Sequence, residues 1–188
     1  MRPIAQSIGG ELVTTKLAMR MEDSLQAFAV RAACFIGELD VPFSEEFDGH
    51  DFGATHVIAY VGDEPAGAVR LRWFQSFAMP ERLAVIQRFR GHNIGGMLLE
   101  RCRAQAQARG CNLLYAQALP RDVGYWEKQG WRRLVPEEAG AEPKRIVAMV
   151  KAVDPSKPLP EIEAPEAVVL RRDGQLDSTG MPHGTVSN

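Results

Sequence analysis

The sequence predicts one α/β domain, a mixed but mostly antiparallel central sheet flanked by helices, and three observations carry that expectation. Strand-like and helix-like segments alternate along the chain. Residues 55–61 and 66–74 are β-rich and joined by Gly62-Asp63-Glu64-Pro65, the turn chemistry of an antiparallel hairpin. Residues 82–86 lead through a glycine-bearing turn into an amphipathic helix and on to the apolar run 111–118, and strands joined through a helix in this way lie parallel.

Taken in order, residues 11–19 alternate and are rich in β-formers, so they read as the first strand. Leu25, Phe28, Ala29, Ala32, Ala33, Phe35 and Ile36 then recur at helical spacing over residues 23–39, with Asp23 or Ser24 placed to cap the start and Val41-Pro42 to end the helix. Residues 42–54 form an acidic, turn-rich loop that holds Glu45, Glu46, Asp48 and Asp51. It reads as a solvated loop, with attraction of a cationic amine as its functional alternative. After the hairpin and the strand 82–86, Ile94, Leu98, Cys102 and Ala106 share one face of a helix that Gly110 can cap. A short helix over 122–129 would be capped by Gly130, and 131–135 with 145–150 would close the sheet as an antiparallel pair. From Asp154 the texture changes, with Pro155, Pro158, Pro160 and Pro165 and then a Gly, Ser and Thr-rich end. The expected division is a domain over 1–153 and an extended Pro-rich tail over 154–188. Val168, Val169 and Leu170 would leave that tail to dock on its own domain or on a second subunit, so a homodimer is one expectation.

Bulk properties narrow the class. A chain of 188 residues, 45% hydrophobic and 24% charged, is ordinary for a globular domain, and a net charge of -2 argues against a general nucleic-acid or membrane-surface binder. Cys34, Cys102 and Cys111 are odd in number and lack C-x-x-C spacing, which suits free thiols in a reducing compartment. With no signal-peptide-like start and no apolar stretch long enough to span a bilayer, a cytoplasmic location is expected.

The most informative stretch is ERLAVIQRFRGHNIGGMLLE, residues 81–100. A helix N-terminus carries unpaired N–H groups and partial positive charge, so a diphosphate could be held over Gly91 to Gly96, where small residues let it approach the main chain. Arg90-x-x-Asn93-x-Gly95 follows the R/Q-x-x-G-x-G/A pattern of acyl-coenzyme A binding, whereas the two named nucleotide fingerprints are absent. Here the chain resembles the GNAT superfamily of N-acyltransferases. CFIGELDVPFSEEFDGHDFGATHVIAYV, residues 34–61, looks like the "VFxxEQxVPxxxExDxxDxxAxH" stretch of the ElaA-like branch, and YWEKQGW, residues 125–131, looks like the superfamily's "FYEKLGF". Asn93 replaces the first motif glycine, Leu39 the branch's glutamine and Trp126 the usual tyrosine. Asparagine accepts left-handed backbone better than most non-glycine residues.

The resemblance implies transfer of an acetyl group from acetyl-CoA to a primary amine, small-molecule or protein-borne, with no metal. It implies a parallel strand pair that splays open at the acyl-CoA site. The cofactor-binding set would be Val85, Ile86, Arg90, Gly91, His92, Asn93, Ile94, Gly95 and Gly96, with the main-chain N–H groups of Val85 and Ile86 facing the pantetheine arm and thioester. An alkylamine is mostly protonated in the cell, so a base is needed, and Glu81 and Glu38 are the candidates. The thiolate's usual proton donor stands at Trp126, whose indole is no acid, and Tyr125 beside it is expected to point elsewhere on a helix. Either Tyr125 is reoriented, water serves, or activity is reduced. A non-catalytic acyl-CoA-binding module is the alternative that Trp126 raises. His50 and His56 with Asp48 and Asp51 match no standard zinc or calcium spacing.

Overall fold

The computed structural model describes residues 6–135, 146–160 and 162. Its centre is an eight-stranded open sheet of order β1-β2-β3-β4-β5-β6-β8-β7. Strand β1 (Ser7–Ile8) turns through Gly9 and Gly10, both at positive φ, into β2 (Glu11–Leu17), a hairpin the sequence reading missed. β2 pairs with β3 (Thr55–Val61), and β3 with β4 (Glu64–Trp73). The connection is tighter than the four residues expected. Val61 pairs with Glu64, so Gly62 and Asp63 alone make the turn, with Gly62 at φ 58, the left-handed backbone such turns need. Pro65 lies within the strand, at a register irregularity that accommodates its missing donor.

Helix α1 (Met21–Arg31) covers one face of the sheet, where Ala27, Val30 and Cys34 meet Ile58, Tyr60, Ala68 and Ala84. Its start corrects the expected cap. Arg20 is the N-cap, and Asp23 sits one turn in, its carboxylate accepting from the N–H groups of Met19 (3.2 Å) and Arg20 (3.3 Å). Its end differs too: α-geometry gives way to π-helix over Ala32–Glu38, a widened turn often found near functional sites. A one-turn helix, α2 (Phe43–Glu46), lies in the acidic segment.

On the other face lies α3 (Ile94–Ala108), with Ile94, Leu98, Cys102 and Ala106 buried on one side against Val57, Val69, Leu71 and Leu114. Gly110, at φ 72, ends it: Cys111 N–H reaches the Ala106 carbonyl and Gly110 N–H that of Gln107. The same pair of hydrogen bonds closes α4 (Val123–Lys128) at Gly130, with the Trp131 N–H donating to the Trp126 carbonyl and the Gly130 N–H to that of Glu127. The sheet finishes with β8 (Val147–Ala152) between β6 (Leu113–Ala118) and β7 (Arg132–Arg133), antiparallel to both. Beyond Val153 the chain folds back. Asn112 binds the Asp154 N–H and the Pro158 carbonyl, and Leu159 and Ile162 pack on Phe77, Met79 and Tyr115. The Val168 segment lies outside the described residues.

Strand β5 (Ala78–Val85) starts four residues earlier than expected and sets up the site. Its ladder with β4 slips between Ala68↔Ala84 and Arg70↔Glu81, which places Arg82 and Leu83 opposite Val69 alone. Arg82 takes φ 52, so this is a bulge with a non-glycine residue in left-handed backbone. On the other side β5 pairs with β6 in parallel at one register position, Ala78↔Leu114, and the strands diverge beyond it.

Candidate active site

A cavity of about 910 Å³ fills the angle between the diverging parts of β5 and β6. Glu81 to Leu83 and Val85 line one wall, Gln117 to Leu119 the other, the start of α3 the floor, and Phe35, Tyr125 and Trp126 complete it. The main chain of β5 faces it selectively. Ile86 gives its N–H to the Ala66 carbonyl at 2.9 Å, which removes it from the expected pair of free donors. Antiparallel ladders alternate, so Val85, opposite Gly67, turns its N–H and carbonyl away from β4 and toward the opening.

The turn between β5 and α3 has the features of an anion cradle. A 3-10 turn over Gln87–Phe89 buries Phe89, Gly91 takes φ 84, and Asn93 caps α3 in left-handed backbone at φ 52. Met97 donates to the Asn93 carbonyl, so the N–H groups of Ile94, Gly95 and Gly96 are those a helix start leaves without an intrahelical acceptor. The glycines have duties the sequence did not disclose. A Cβ at Gly95 would lie 2.3 Å from the Tyr125 hydroxyl, and one at Gly96 2.3 Å from Asn93 Oδ1 and 2.7 Å from Gln129 Oε1. Smallness there admits this protein's own side chains, whereas Gly91 has open space where a Cβ would be. Ile94 is buried in the core and His92 is exposed, its Nδ1 3.0 Å from the Arg90 carbonyl.

Tyr125 and Trp126 both line the cavity, which corrects the expectation that Tyr125 points elsewhere. The helix is short, and the Gly130 cap turns the chain so that Trp126 stacks edge-on against Trp131 with centroids 4.9 Å apart. Tyr125 then falls across the first turn of α3. Burial pushes its phenol above the ordinary range, so it stays protonated at neutral pH.

Glu81 lines the cavity, and its Oε1 accepts from Arg70 Nε at 2.8 Å. Glu38 stands elsewhere. It ends the π-helical segment and pairs with Arg90 beside the turn, outside the cavity wall. Arg90 Nε also donates to the Val85 carbonyl at 2.9 Å.

The acidic segment is not a solvated loop, since Glu46, Asp48 and Asp51 are paired with arginines. Arg31 and Arg70 have fully buried side chains, and the loop's carboxylates close over them. Arg31 holds Glu46 at 2.6 Å and Asp51 at 2.5 Å; Arg70 holds Asp48 at 2.7 Å as well as Glu81; Arg82 holds Glu46 at 3.1 Å. Burial alone would raise the Asp48 and Asp51 carboxyls, yet Arg70 holds Asp48 well below the carboxylate range and Arg31 lowers Asp51. Glu46 is the exception, since its burial outweighs its arginines and raises it. His56 is pushed down by burial and is neutral, its Nε2 3.1 Å from the Asp51 carbonyl. No group of three His, Cys, Asp or Glu side chains among the described residues is arranged to hold a metal. Nor is any helix among them long and apolar enough to cross a membrane.

Known proteins share this fold. Residues 24–131 match the family described as Acetyltransferase (GNAT). The chain is 30% identical to YjcF of Bacillus subtilis, an uncharacterized N-acetyltransferase, over 122 residues that make up 65% of this chain and 87% of that protein. In structure it resembles Escherichia coli ElaA, with a TM-score of 0.62 and 16% identity over 74% of this chain and 99% of that one. It also resembles a GNAT family acetyltransferase of Elizabethkingia anophelis solved with acetyl-CoA bound, with a TM-score of 0.56 and 18% identity over 74% and 97% of the two chains.

Proposed function

Because the chain belongs to the GNAT acetyltransferase family, we propose that it transfers an acetyl group from acetyl-CoA to a primary amine by direct attack. The observation that carries this reading is the convergence in one cavity of three elements: the outward main chain of Val85, the unmatched N–H groups at the start of α3, and the Tyr125 hydroxyl above Gly95. The cradle suits a diphosphate because its donors are main chain and lie at the positive end of a fifteen-residue helix. Acetyl-CoA supplies the acetyl group as a thioester. Val85 offers its N–H to an oxygen of the arm or of the thioester, and its carbonyl to an amide donor. Glu81 takes the proton of the attacking amine, directly or through water. Tyr125 gives its proton to the sulfur as the carbon–sulfur bond breaks, in place of the tyrosine that Trp126 replaces. Trp126 supports the wall and moves no proton.

Turnover of acetyl-CoA against a panel of amines tests the reading. Tyr125→Phe and Glu81→Gln are each expected to lower kcat by about 10²-fold, the scale of general acid–base catalysis, with calorimetric coenzyme A affinity nearly intact. Binding without turnover against every amine would favour the non-catalytic module. Wild-type rates in Tyr125→Phe would pass the acid role to water.

A further inference from the structure

Arg90 stands between the turn and the cavity, and its guanidinium is held on the strand side. Nε covers the Val85 carbonyl at 2.9 Å, and Nη2 pairs with Glu38. That carbonyl is the acceptor β5 turns toward the opening, so Arg90 occupies the atom that a ligand amide running along this edge would use. The side chain of Arg90 is 49% exposed and that of Glu38 29%, so both can move without opening the core. The other neighbour, Cys34, brings no competing charge, because burial and then Glu38 raise its thiol. Four residues farther on begin the α3 donors, and an anion placed there would draw the same guanidinium away from Glu38.

Resting on the coenzyme A reading above, we propose that Glu38 is a positioning residue that holds Arg90 over the Val85 carbonyl, and that cofactor binding takes Arg90 from Glu38 to the diphosphate. Two anions thus compete for one cation, and its departure uncovers the acceptor the pantetheine arm needs. Glu38 acts on cofactor affinity and not on the amine's proton. It pairs with Arg90 at the turn and is not among the residues that line the cavity with Glu81.

The test is a double-mutant cycle read by calorimetry with coenzyme A. Glu38→Gln removes the charge and keeps the volume, and it should tighten binding by about two- to fivefold, the range for a half-exposed ion pair. Glu38→Ala should act in the same direction, and mere damage to the fold would act in the opposite one. In an Arg90→Met background the Glu38→Gln effect should vanish to within about twofold, because the partner is gone. Unchanged or weaker binding in Glu38→Gln, or an equal gain in the Arg90→Met background, would overturn the proposal. Loss of turnover in Glu38→Gln without tighter binding would also overturn it and make Glu38 the base. A wild-type protein that binds no coenzyme A would instead remove the functional reading on which the proposal rests.

Discussion

Gly95 shows how one missing carbon serves two purposes. Its N–H belongs to the unmatched set at the start of α3, and the space where a Cβ would stand holds the Tyr125 hydroxyl, 2.3 Å away. Gly95→Val should therefore displace the phenol and crowd the cradle together. The expected result is a folded protein whose coenzyme A affinity falls by more than about tenfold, that is by more than about 1.4 kcal/mol. Calorimetry that returned the wild-type affinity would reject the cradle. Sequence showed the spacing of this glycine but not its neighbour. Tyr125 is adjacent to Trp126 in the chain, and only the Gly130 cap, which fixes how α4 sits on Trp131, decides that both face the cavity.

Helix α3 begins at a residue under backbone tension. Asn93 adopts φ 52, which a β-branched side chain tolerates poorly, and it lays its own amide oxygen over Gly96 within reach of Gln129 at 3.3 Å. Asn93→Val should cost about 1–2 kcal/mol from left-handed backbone, a fall of several degrees in Tm, whereas Asn93→Gly should keep the helix start. Equal melting temperatures for the two variants would contradict this account. The helix itself was legible because Ile94, Leu98, Cys102 and Ala106 repeat at one period and Gly110 follows them. Hairpin β3–β4 was legible for the same kind of reason, local turn chemistry between β-rich runs. The bulge at Arg82 and the π-helical end of α1 were not, since each answers to a neighbour distant in sequence: Arg82 to the loop carboxylates of Glu46 and Asp48, Glu38 to Arg90. The acidic segment misled for the same reason, because the arginines that neutralise it come from α1, β4 and β5.

Across the whole molecule, those arginines tie α1, the acidic loop, β4 and β5 into one buried network, and this makes stability depend on acid. Asp48 and Asp51 have lowered values when folded, so their contribution is present above the ordinary carboxylate range near pH 4 and is lost progressively as pH falls below that range toward their folded values. Glu46 is raised, so its contribution has the opposite sign, present at low pH and lost on the way up. Two lowered carboxyls against one raised give a net loss in acid. Urea midpoints should drop between pH 7 and about pH 3, and Asp48→Asn should flatten that slope while costing about 2–4 kcal/mol at pH 7, because Arg70 is left buried and short of a partner. A midpoint independent of pH would sink this view. The splayed sheet has a further consequence. Because β5 and β6 share a single register position, the sheet carries two facing edges in its middle, and an edge is a template on which a stray chain can add as a strand. The devices found along this seam are those that sheets use at their outer borders: a bulge at Arg82, the cationic Arg90 across the Val85 carbonyl, and a cover of Tyr125 and Trp126. The seam can thus stand open to its own ligand and still resist self-association, so the residues that shape the site also protect solubility.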